Sequence, residues 1–230
     1  MIHGPDAIVF WQSGFVTINL TLVATWGIML LLILVSKLVT RRLTTGPKAS
    51  WWQNLLETIV ELLRGQLREI GFSEPDRHLP FLGTLFLFIA TANLLIVLPF
   101  YEPPTASFST TAALALCVFV FTPVCTIAQK GLRGWLAALC HPNPLLAPLH
   151  IMGDISRTIA LAIRLFGNVM SENLVGGLLL SLAPFFVPVV MKLFGLLTGF
   201  VQACIFSLLA AVFLAAATSE TPSNEAGERN

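Results

Sequence analysis

Long uncharged runs alternate with short polar connections along this chain. Residues 7–36, 78–101, 103–129, 173–191 and 193–219 contain no Asp, Glu, Lys or Arg. Each is about as long as the ~20 residues needed to cross a hydrocarbon core. Lipid accepts only helices or closed barrels, because each backbone polar group must be satisfied internally. No period-two alternation marks a barrel. The pattern therefore predicts an all-α polytopic membrane protein, one membrane domain over 1–230. It has transmembrane helices at 15–39, 80–99 and 110–128, then two long helices at 151–181 and 187–218. At ~1.5 Å per residue each of these two reaches ~45 Å. That exceeds a perpendicular crossing, so strong tilt is expected. Residues 219–230 read as a polar tail.

One segment is periodic without being a span. Over 49–70, Leu55, Leu56, Ile59, Leu63, Leu67 and Ile70 share a face, and Glu57, Glu61, Arg64 and Arg68 occupy another. This predicts an amphipathic helix in the interface plane, with Trp51 and Trp52 at headgroup level. The alternative is a helix packed on a soluble partner. Five transmembrane helices plus this interfacial helix make up the expected fold. Residues 131–150, with Pro142, Pro144 and Pro148, read as a re-entrant or surface connection, and Pro184 and Pro188 as a break between helices.

Composition removes the soluble alternative. Thirteen Lys or Arg and twelve Asp or Glu make up only 11% of 230 residues, against roughly 25% for a soluble domain. Lys37, Arg41, Arg42 and Lys48 follow the first apolar run, with no basic counterpart before it. The positive-inside rule then puts the N-terminus outside, periplasmic or extracellular, and the C-terminus in the cytoplasm. The absence of a basic tract leaves no case for nucleic acid. The first run lacks a basic leader and a small-residue cleavage site, so it reads as a retained helix. The histidines and cysteines have no metal-ligand spacing, and no nucleotide or nucleophile motif is present. No catalytic, cofactor-binding or metal residues are assigned, and the chain itself neither makes nor hydrolyses ATP.

The chemistry concentrates in DISRTIALAIRLFGNVMSENLVGGLLL, residues 154–180. Arg164 falls mid-helix between Ile163 and Leu165. A guanidinium at membrane depth costs between ~3 and ~17 kcal/mol on competing scales, and it cannot be neutralised. It must face water or a carboxylate. Asn168 at i+4 and Arg157 at i−7 lie near its face. Glu172 at i+8 is offset by about 80°, and Asn173 at i+9 points to the opposite side. The nearest acid of the helix is thus two turns away, and the opposing carboxylate is expected from another chain. Gly195, Gly199 and Gln202 fall on one side of the last helix, so Gln202 either bonds toward Arg164 or is satisfied in a helix contact. Glu172 is either a proton or cation relay or a structural partner. Asp154 with Arg157 is either an interfacial salt bridge or part of a transport path. Asn93 either lines a water path or forms an interhelical bond. A secondary transporter or channel binding an anionic substrate at the intramembrane arginine is the competing function.

The combination of IRLFGN with a distal Gln-x-x-x-Phe segment resembles subunit a of the rotary F-type ATP synthases. TINLT, QNLLE, NLLIVLP, PTASFSTTAALAL, ISRTIALAIRLFGN and GFVQACIFSLLAAVFLA extend the resemblance over nearly the whole chain. It implies a stator subunit in the bacterial inner membrane beside a ring of c subunits, each bearing a membrane carboxylate. Peripheral-stalk b subunits, the whole F1Fo complex and membrane lipid are the other implied partners. Arg164 matches the family's essential arginine, Gln202 the glutamine that faces it and Asn168 the asparagine of the motif. Asn93 matches the asparagine of an NLxGLxP-like segment, with Ile96 where glycine is common. Ion translocation is thereby assigned to Arg164, Glu172, Gln202, Asn168 and Asn93, with Asp154, Arg157 and Asn173 as a second rank. Many members carry an acid nine residues after the arginine, where this chain has Asn173 and places Glu172 one residue earlier. Gly195 stands where some carry His or Glu. The SEN run resembles variant bacterial forms, some considered sodium-linked, so the implied transported ion is H+ with Na+ as the alternative. No cofactor is implied.

Overall fold

The structure, a computed structural model, describes residues 9–13, 16–41, 51–72, 74–97, 101, 103–140, 147–182 and 187–219. Two short strands, β1 (Val9–Ser13) and β2 (Val16–Asn19), precede six helices. These are α1 (Leu20–Thr40), α2 (Trp51–Ile70), α3 (Pro75–Leu94), α4 (Phe108–Cys140), α5 (Ala147–Leu182) and α6 (Val187–Ser219). Among the described residues, three stretches are long and apolar enough to cross a membrane: Thr21–Leu38, Phe108–Gly134 and Val189–Thr218. The molecule is a membrane-spanning helical bundle.

Several sequence expectations need correction. Ahead of the bundle, all-α as expected, the structure adds a short antiparallel hairpin in which Ser13 pairs with Val16 and Gln12 with Thr17. Its residues, Val-Phe-Trp on one side of Gly14 and Val-Thr-Ile on the other, are those that favour strands. The first helix consequently begins at Leu20, not at residue 15. The second starts at Pro75, five residues ahead of the expected 80, because proline at the first helical position gives up an N–H that has no partner there. It ends at Leu94 in a 3₁₀ turn, Leu95–Val97, short of the expected 99. The third was expected to stop at 128 and to give way to a connection. Its first helical segment ends close to that point: Gly131, at φ 74° and ψ 168°, is non-helical in a conformation that suits glycine, and a second helical stretch of α4 follows it to Cys140. The break expected around Pro184 and the tail beyond Ser219 lie outside the described residues.

The core forms where α3, α5 and α6 meet. Leu82, Phe86, Ile89, Leu161, Leu165, Phe206 and Leu214 are fully or almost fully buried. α4 closes one side, with Phe121 stacked on Phe81 at a centroid distance of 3.5 Å. α1 touches this bundle through Ile28 and Leu32, while Trp26, Leu30 and Ile33 point away and are each about two-thirds exposed. In water such a surface would drive aggregation; in lipid it costs nothing.

The amphipathic helix α2 applies Leu63 and Leu67 to the bundle and leaves Glu57, Glu61 and Arg68 exposed. Arg64 Nε donates to Asp76 Oδ1 at 2.8 Å, stapling α2 to the start of α3. Exposed pairs of this kind contribute at most ~1 kcal/mol; buried Leu63 and Leu67 do most of the holding. His78 fills the corner under Phe72 and accepts from Gln129 Nε2 at 3.2 Å.

Candidate functional site

α5 runs as continuous helix for 36 residues, and its periodicity sorts its side chains into two faces. Leu161, Ala162, Leu165 and Val169 are buried against α4 and α6, whereas Ile159, Ala160, Ile163 and Arg164 are exposed. Arg164 therefore lies on the outward side of the bundle. Among the described residues the ion pairs are Arg64 with Asp76 and Arg157 with Asp154, and Arg164 pairs with no acid there. A guanidinium without a counter-charge at mid-helix needs an external answer.

α6 presents a line of small residues at i, i+4 spacing: Gly195, Gly199 and Ala203, all buried. Such a line lets helices approach closely. Here each glycine also receives one particular polar side chain. A Cβ at Gly195 would overlap the Glu172 carboxylate, which occupies that space. A Cβ at Gly199 would stand 2.6 Å from Asn93 Cβ and 2.8 Å from its Cγ. One turn apart on α6, the two glycines thus admit an acid from α5 and an amide from α3.

Asn93 is 3% exposed and acts as a crosslink. Its Nδ2 donates to the Gly199 carbonyl at 3.1 Å, and its Oδ1 accepts from Thr105 at 3.4 Å. Of the two readings open in the sequence, the geometry matches the interhelical bond. Gln202, next on α6 and 6% exposed, has an Nε2 without a hydrogen-bond partner, and so does the Nδ2 of Asn168. Orphan buried amides are costly and rare. Asn168 is one turn from Arg164, so two unsatisfied donors belong to the two helices that frame it. Asn173 is exposed on the far side of α5. Asp154 and Arg157 pair at 3.4 Å near the start of α5, both about half exposed, and Arg157 lies 5.6 Å over the Phe213 ring. No cluster of His, Cys, Asp or Glu among the described residues is arranged for a metal ion.

Comparison with known proteins decides what this arrangement belongs to. A family model described as "ATP synthase A chain" matches residues 22–215. The chain belongs to this family. It is 55% identical to the "ATP synthase subunit a" of Albidiferax ferrireducens, over 98% of both chains. It is 55% identical to the "ATP synthase subunit a 1" of Chlorobaculum parvum, over 93% of this chain and 94% of that one. The "ATP synthase subunit a 2" of Acaryochloris marina is 53% identical, over 93% and 92%. As a member, the chain is a non-catalytic, ion-translocating stator subunit of ATP synthase that couples ion flow to c-ring rotation. Membership sets aside the secondary-transporter reading. It also implies a multi-pass protein of the bacterial inner membrane, in association with the c-ring, b subunits and F1Fo complex.

Sequence reasoning missed how Glu172 reaches α6. It treated the acid one place early and the glycine at 195 as two separate departures from the family. α5 is unbroken, and the two departures are complementary: the carboxylate fills the volume that glycine vacates. The signal was present as a gain of an acid on one helix with a loss of side chain on the next. Thr105, which holds Asn93, was legible only as part of a polar loop.

Proposed function

We propose that two offset aqueous half-channels, one open to each side of the membrane, meet the c-ring on the outward face of α5. Arg164 separates them. An ion arriving through one half-channel neutralises a ring carboxylate, which then turns through lipid at tolerable cost. On reaching Arg164 the carboxylate releases its ion, because an adjacent fixed cation favours the anionic form. The same permanent charge blocks direct passage between the half-channels, so only rotation completes the transfer. Each elementary charge crossing 100 mV contributes ~2.3 kcal/mol; several are needed for each ATP made elsewhere in the complex.

Glu172, seated over Gly195, serves as the relay of one half-channel, with Gln202 and Asn168 presenting their unpartnered amides toward water or ion. Asn93 supports the path by fixing α6. Asp154, Arg157 and Asn173 remain second-rank candidates. On this reading the chain crosses five times with α2 at the interface, the N-terminus periplasmic and the C-terminus cytoplasmic; the basic residues Lys37 and Arg41 after the first span support it. H+ is the transported ion, with Na+ the alternative that the SEN run raises. The observation that carries this reading is Arg164, exposed on a membrane helix and paired with no acid among the described residues.

The test is to replace Arg164 and the facing ring position by cysteines in the assembled complex and to oxidise it. Disulfide formation that stops ATP-driven rotation supports the reading; a ring that never crosslinks at this depth refutes it. ATP-driven pumping with and without sodium at fixed pH then identifies the ion.

A further inference from the structure

Away from Arg164, the start of α5 borders a cavity of about 280 Å³ between α4 and α6. At ~30 Å³ per water molecule this is far larger than a single-water void. Its walls are mainly apolar, with Val118, Phe119 and Pro123 from α4 and Phe213, Ala216 and Ala217 from α6. Its rim is polar: Asp154 and Arg157 stand there with His150. The cavity lies at the end of the bundle where the α4 span runs on to Lys130 and Arg133, at the level where an apolar interior gives way to charge.

The rim pair is poorly used by the protein. Arg157 and Asp154 meet at a long 3.4 Å, and their side chains are 53% and 54% exposed. Phe213 lies beneath the guanidinium and holds it at the mouth. An apolar slot lined at one end by a long, half-exposed Arg–Asp pair matches an amphiphile whose head carries both signs and can exchange with that pair.

We propose that this cavity is a binding site for a zwitterionic phospholipid with a primary ammonium head, of the phosphatidylethanolamine type. The phosphate lies on Arg157, the ammonium donates to Asp154, and one acyl chain enters between Val118 and Phe213. The choice of head follows from the rim. An anionic head without an ammonium leaves its phosphate facing the Asp154 carboxylate uncompensated. A choline head brings a cation with no N–H to donate to that carboxylate. Free phosphate leaves the apolar walls unused. The proposal needs only that the chain lies in a membrane, and is independent of how ions pass Arg164.

The test uses the whole ATP synthase complex in nanodiscs doped with lipids bearing a photoactivatable acyl chain and an ethanolamine, glycerol or choline head. After irradiation, labelled peptides are mapped on this subunit. The ethanolamine lipid should label Val118–Thr126 and Phe213–Ala217 about tenfold more than the other two, the factor that one charge-assisted hydrogen bond produces. Label on the exposed face of α1 should not depend on the head. Asp154→Asn should erase the preference over choline, and Ala217→Trp should remove label from both segments by filling the slot. The unsubstituted complex suffices to refute the proposal: equal labelling by all heads, preference for glycerol, or no label above the α1 background would each overturn it.

Discussion

Two charged residues lie two turns apart on one helix and are housed in opposite ways. Arg164 is exposed, pairs with no acid among the described residues and faces outward between apolar neighbours. Glu172 is half-buried and settled into the space over Gly195 on the next helix. In the proposed mechanism the charge that answers a succession of passing carboxylates is the open one, and the charge that serves as a fixed relay is the cradled one. A cradled Arg164 would already be neutralised, and every ring carboxylate would then compete with an internal partner. An open Glu172 would lose the protein surroundings that hold it in a relay position.

The largest expected effect probes the open member. Arg164→Lys keeps the charge but loses the planar fork, and a desolvated amine can give up its proton. Losing charge-assisted bonds worth ~3 kcal/mol should lower coupled ATP synthesis in vesicles by roughly a hundredfold. A near-normal rate would show that any cation suffices. Next is the cradled member: Glu172→Gln fits the same space without a titratable proton and should slow ion-driven synthesis about tenfold or more, by analogy with lost proton-transfer groups. Unchanged rates over the whole pH range would make Glu172 a packing residue and dissolve the contrast.

The two glycines sharpen the comparison at smaller scale. Gly195→Ala meets the far end of a flexible side chain, so Glu172 swings away; transport should fall a few-fold while the melting temperature of the purified complex barely moves. Gly199→Ala meets Asn93 at its Cβ and Cγ, where little can yield. Overpacking there should cost ~1–3 kcal/mol and show as lower thermal stability or weaker assembly. Equal behaviour of the two variants would mean that the polar side chains over these glycines have no separate roles.

Much of this was readable from residue types. The charge-free runs gave the membrane class, and the 3.6-residue period of Leu63, Leu67 and Ile70 gave α2 its buried side. The isolation of Arg164 followed from counting turns to Glu172. What could not be read was pairing across helices. Nothing in Asn93 alone distinguishes a water-lined position from a bond to the Gly199 carbonyl, because that depends on the height of α3 against α6. The β1–β2 hairpin was hidden because its apolar residues merge with the run that opens α1. The second helical stretch, after Gly131, was hidden because the prolines that follow it suggested an irregular connection over the whole of 131–150.

The central claim is that Arg164 alone keeps the two half-channels apart while releasing ions from the ring. Its most direct test is Arg164→Ala in a complex shown by co-purification to retain the c-ring and the soluble head, sealed in vesicles under an imposed ion gradient. The account predicts no ATP synthesis above background. Synthesis at the unsubstituted rate would contradict it.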